Sequence, residues 1–203
     1  MKRSRARLAL ALVFVLAGCD GGTSENPLVP CLHPLFTEAD LDFDPALVGD
    51  WSEKHGEVTF TFEKSDGMAY RLTITEDGKV GEGSAQFEAH LVRLGGFWFL
   101  DLYPGAPDGD EFYKLHLLRA HSIARVWLVG DQLRLGFLDS KWLQEKIEEK
   151  SVQIDHQKAG GAIVLTAGTD DLQRLAFEHA NDEQAYADPL ELARKWEGTE
   201  PPE

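Results

Sequence analysis

The chain has 203 residues, 35 acidic against 20 basic, and a formal net charge of −15. So acidic a body is a poor nucleic-acid binder and is repelled by anionic lipid headgroups, so neither nucleic acid nor a charge-docked membrane is an expected partner. Two cysteines in the whole chain exclude a disulfide framework as the source of its stability.

The N-terminus has the order of a secretory signal: a basic head (Lys2, Arg3, Arg5, Arg7), a short apolar run "LALALVFVL", then "LAGC". The run is about nine residues, against the ~20 a spanning helix needs. Leu16, Ala17, Gly18 and Cys19 resemble, position by position, the bacterial lipobox, in which the chain is cut before a cysteine whose thiol is lipidated. The resemblance implies a signal at 1–18, then a lipidated Cys19 and a flexible tether at 19–42. Cys31, in that tether, is left unpaired. Asp20 after the lipidated cysteine resembles the inner-membrane retention signal of enteric bacteria, and either membrane stays open. Cutting before Cys19 removes the four basic residues and no acidic ones, taking −15 to −19 and leaving 185 residues, enough for one domain with a real core. Each buried methylene contributes about 0.8 kcal/mol, so several acyl chains hold where one does not. The expected location is the cell envelope, facing the periplasm or the cell surface.

From residue 57 the pattern is alternation. In "EVTFTFE" (57–63), Val58, Phe60 and Phe62 oppose Thr59 and Thr61; in "MAYRLTITE" (68–76), Tyr70, Leu72 and Ile74 oppose Arg71, Thr73 and Thr75. "SAQFEAHLVRL" (84–94) and "FWFLDLY" (97–103) follow, joined by Gly95-Gly96. "FYKLHLLR" (112–119), "IARVWLV" (123–129) and "LRLGFL" (133–138) complete about seven strands in sequential hairpins. Both faces of 97–103 are apolar, so one meets the core and the other a helix. "DSKWLQEKIEEK" (139–150) reads as an amphipathic helix with an Asp cap, and 152–166 as a hairpin turning at Gly160-Gly161. "TDDLQRLAFEHAND" (169–182) reads as a helix capped by Thr169, with Leu172, Leu175, Ala176 and His179 on one face. A third helix is expected at "DPLELARKWEG" (188–198), with Pro189 at its first position and Asp188 and Glu191 as a capping pair. The body thus spans 43–182, with a C-terminal helix and tail at 183–203.

Gly49-Asp50-Trp51 precedes the first long strand. With the strand order and a late helix, it resembles the entrance of the lipocalin and calycin group. That likeness implies an antiparallel up-and-down barrel whose closed end is crossed by Trp51, where Gly49 permits a tight approach, and whose open end holds a small apolar molecule. The group's mid-chain Thr-Asp-Tyr turn is absent, and no late Arg is matched to it. "FDPALVGDW" and "IVLTAGTDDLQRLAFEHA" also resemble small bacterial envelope lipoproteins with no assigned activity. The expected fold class is mainly β (α+β): a lipocalin-like barrel or a sandwich, with two or three C-terminal helices.

No constellation argues for catalysis. The seven His, at 33, 55, 90, 116, 121, 156 and 179, include no i, i+4 pair; only His90 and His116 are candidates to meet. Cys31 and His33 are too few for zinc. Asp108, Asp110 and Glu111 lack the spacing of a calcium loop. "GEGSAQ" fits neither a dinucleotide loop nor a nucleophile elbow. Arg125 and Trp127 share a strand face and suit either a stack or snorkelling at a rim. No catalytic residue, metal or cofactor is expected. The expected role is a non-enzymatic, Cys19-anchored envelope protein that binds a small apolar ligand or a partner protein; the alternatives are a hydrolase on this scaffold or a structural accessory.

Overall fold

The computed structural model describes residues 28–53, 58–76, 84–106, 111–114, 116–159 and 162–195. Eight antiparallel strands close into a barrel: β3 (Gly49–Ser52), β4 (Val58–Lys64), β5 (Ala69–Glu76), β6 (Ser84–Leu94), β7 (Phe97–Pro104), β8 (His121–Val129), β9 (Gln132–Phe137) and β12 (Leu190–Arg194). Seven run in sequence. The eighth pairs with β9 on one side, Leu192 opposite Leu133, and with β3 on the other, Arg194 opposite Trp51. The tight turns use Gly67, Gly95 and Gly130, all at positive φ.

Period-2 alternation decides which side of the wall each residue faces. Trp51, Phe60, Phe62, Tyr70, Leu72 and Ile74 point inward and are at most 1% exposed. All eight strands contribute to this one buried cluster, which includes Phe87, Leu100, Val126, Leu133 and Leu192. An eight-stranded barrel is just wide enough for side chains to fill it, and here they do.

A second core lies outside the wall. Val92 of β6, Phe99 of β7 and Ile123 of β8 face outward and pack under helices α2 (Ser140–Glu148) and α3 (Thr169–Glu178) and a small sheet. That sheet comprises β10 (His156–Ala159), β11 (Ala162–Leu165) and β1 (Pro30–Cys31); β1 runs parallel to β11 and antiparallel to the start of β8. The apolar outer face of β7 thus meets helices, as its two-sided pattern predicts.

Three expectations are corrected. Residues 28–42 are not tether. Val29, Cys31 and Leu35 are buried, and β2 (Leu41–Asp42) pairs with β6, so any tether after Cys19 ends before Leu28. The stretch 112–119 is not a strand. A helical turn, α1 (Glu111–Lys114), is followed by coil, because β7 and β8 pair directly with each other and leave it no partner edge. The helix expected at 188–198 is not formed by its described residues, 188–195. Leu190 and Leu192 enter the barrel while Glu191 points out, and Asp188 has φ +46°, not the extended backbone of a helix N-cap. Closing the barrel outweighs the local Pro189 and Glu191 signals. The cap of α3 also differs: Gly168 takes the N-cap position, and the Thr169 hydroxyl donates to the Pro34 carbonyl at 2.9 Å. Cys19, His55, Asp108, Asp110 and Gly160-Gly161 lie outside the described residues.

Candidate functional site

The base of the barrel is built on Trp51. Its indole N–H donates to the Leu47 carbonyl at 2.9 Å, tying it to a 3-10 turn (Pro45–Leu47) that Asp44 caps. The Arg194 guanidinium lies over the Trp51 ring, 4.3 Å from its centroid, and donates to the carbonyls of Val48 (2.8 Å) and Ala46. Gly49 has φ +130°, and a Cβ there would stand 2.6 Å from Arg194 Nη1. Glycine at this point therefore follows from both backbone and neighbour. Tyr70 closes the same end, with Phe43 stacked on it at 4.8 Å. Its hydroxyl donates to the Asp44 carbonyl and accepts from the Asp44 N–H, and burial pushes its pKa up to about 12. Arg194 reaches Trp51 because β12 pairs with β3, Arg194 directly opposite Trp51. Reading 188–198 as a helix hid it, although "LELAR" alternates as a strand does.

A second group lies on the outer wall under the N-terminal strap. Asp101, fully buried on β7, accepts from the Leu35 N–H at 2.7 Å through Oδ2, and its Oδ1 lies 2.6 Å from His121 Nδ1. His90 is the cross-strand partner of Asp101, and Phe36 of the strap stacks on it at 4.3 Å. Among the described residues the buried Nδ1 of His90 has no hydrogen-bond partner. Burial holds the His90 pKa below the ordinary imidazole value, against the pull of Glu88 and Asp101. The strap is pinned from its other side by Gln173 of α3, which donates to the Leu35 carbonyl and to Asp40 Oδ2.

This group brings together His90 and His121, not His90 and His116; His116 lies in the β7–β8 connection against Phe112. Cys31 is opposite His121 across β1 and β8, but its thiol is completely buried, contacts the Val29 carbonyl, and has its pKa pushed far up by desolvation. His33 is exposed, so the two do not form a ligand pair. An Asp-oriented imidazole is half of a nucleophilic triad; among the described residues no hydroxyl or thiol hydrogen-bonds to His121. Nor do the described residues bring together three metal-ligating side chains. An Asp inside the otherwise apolar "FWFLDLY" was the one legible sign of this cluster, since a charge in such a strand must find partners.

Arg125 is stacked, not snorkelling. It is 6% exposed, with its guanidinium 4.8 Å from the Phe97 ring, 5.3 Å from Phe99 and 5.0 Å from Trp127. It donates to the carbonyls of Trp98 and Val126. Beside it, a concavity of about 750 Å³ opens between α2 and the 180–189 segment, lined by Trp127, Arg134, Asp139, Trp142, Asp182 and Tyr186. A second, of about 630 Å³, lies on the polar outer face of β3 to β6, among Thr59, Thr61, Thr73, Thr75, Arg71 and Lys195.

No family model, no curated protein and no solved structure matches this chain.

Proposed function

We propose that this chain is a lipid-anchored protein of the bacterial envelope, held through Cys19, that works without catalysis by binding a partner protein on the outside of its barrel. The filled interior carries this reading: Trp51, Phe60, Phe62, Tyr70 and Leu72 occupy the space in which a lipocalin would seat an apolar ligand. Calycin kinship is part of the proposal, supported by the stack of Arg194 on Trp51 and by Gly49 at positive φ. The partner face is the helix-clad wall, where the concavity beside Trp127 and Trp142 combines aromatic surface with charges of both signs. The hydrolase reading has only the Asp101–His121 pair in its favour, with no reactive nucleophile beside it among the described residues.

Native mass spectrometry of the mature protein tests the first half. The expected species is the acylated chain alone; a stoichiometric apolar molecule bound to it overturns the reading. A photo-crosslinker at Lys141, on the rim of that concavity, tests the second. It is expected to trap one discrete protein in cells, whereas the same group at Arg71 on the opposite wall does not. Equal labelling from both positions overturns the assignment of the face.

A further inference from the structure

Leu28, the first described residue, bridges to Asp139 just past the end of β9, and Pro30 and Cys31 pair with the first two residues of β8. The chain therefore enters the fold at the barrel end that carries the β7–β8 connection, opposite the base closed by Trp51. That connection displays Phe112, Leu117 and Leu118, which are 71%, 52% and 77% exposed, and Leu32 lies beside it just past Cys31. The connection is held to the wall rather than hanging from it: Arg119 stacks on Tyr103 at 4.7 Å, and Tyr103 on His121 at 4.5 Å. The exposed apolar residues of the other end, Met68, Phe177 (over Gly95) and Val129, lie at three separate hairpins about a quarter of the barrel's circumference apart.

We infer that this end of the barrel docks on the membrane that holds the lipid, with Phe112, Leu117 and Leu118 at the headgroup boundary. The inference rests on the lipidation of Cys19. Nine residue steps separate Cys19 from Leu28, a contour of at most roughly 32 Å. Acyl chains on Cys19 thus confine the entry end of the barrel to the bilayer's neighbourhood, where a weak apolar contact acts at high effective concentration. The net charge of the body repels anionic surfaces, so the contact is an apolar one, suited to a zwitterionic bilayer. The helix-clad wall and its concavity then stand roughly perpendicular to the membrane, open to a partner.

The test places one environment-sensitive fluorophore at Leu118→Cys or at Val129→Cys in the acylated chain, on phosphatidylcholine vesicles carrying nitroxide on an acyl chain. Native Cys31 does not compete for the label, being completely buried. The expected result is a blue-shifted emission at 118 with several-fold more quenching than at 129. Co-flotation with vesicles but equal quenching at both positions overturns the docking and leaves the anchor standing. A mature chain that does not co-float overturns the anchor, and the docking with it.

Discussion

Truncation of Arg194 to Ala removes, from one side chain, two hydrogen bonds to the Val48 and Ala46 carbonyls, the stack on Trp51 and a contact with the half-exposed Asp131. A hydrogen bond from a charged donor contributes ~1.5–3 kcal/mol, a desolvated cation–π contact up to ~2 kcal/mol, and the exposed ion pair ~0–1 kcal/mol. Contacts that share a side chain do not add, so a loss of about 3–4 kcal/mol is expected. At roughly 2–4 °C per kcal/mol for a domain of this size, Tm falls by roughly 6–16 °C. Urea unfolding followed by tryptophan fluorescence measures this directly. Arg194→Lys supplies a single point charge that reaches one carbonyl and stacks poorly, and recovers about half of the loss. A deficit below ~1 kcal/mol for the Ala variant would show that the base of the barrel holds without its arginine. The reasoning about both Trp51 and Gly49 would then fail.

Gly49→Ala is expected to cost ~2 kcal/mol or more, from the positive φ and the approach of Arg194. A double-mutant cycle should show that cost reduced by about 1 kcal/mol when Arg194 is already Ala. Asp101→Ala strands the Leu35 N–H and His121 and should cost ~3–5 kcal/mol in urea unfolding, with faster hydrogen exchange at Leu35. Asp101→Asn, which keeps an acceptor for Leu35, should cost less than half of that. His90 is held below the ordinary imidazole pKa of ~6.5, so the unfolded chain takes up this proton first as pH falls. The stability it supports is complete above about pH 7.5 and declines as pH drops through ~6.5; urea midpoints at pH 7.5 and 5.5 should show a decline that His90→Gln flattens. An alkylating reagent at neutral pH should leave Cys31 unmodified until the protein is denatured.

The barrel was legible wherever a strand was long and one-sided. The alternation of Phe60 and Phe62 against Thr59 and Thr61 states which side is inside, and it is obeyed. The two-sided "FWFLDLY" announced a second layer on the outer wall. What escaped was short or local. β1 and β2 have two residues each, too few for a period, so the buried strap of 28–42 resembled a tether. The segment 112–119 has strand composition but no edge to pair with. "DPLELARKW" carries helix-start chemistry, which the pairing edges of β3 and β9 override. The polar cluster assembles from afar: Asp101 meets residues 66 and 20 positions away, and nothing in its neighbourhood names them.

Closure of the wall by β12 fixes an order of events. A polypeptide that emerges N-terminus first, from ribosome or translocon, carries a curled seven-stranded sheet with two bare margins until its final strand arrives. Those margins are Gly49–Ser52 and Gln132–Phe137, four and six residues long. Their brevity limits how well a stranger's strand can bind there. Deleting everything after Pro189 leaves both margins open permanently rather than briefly, so despite their brevity the expected outcome is chains that pair with one another, seen as oligomers on size exclusion, and not a looser monomer.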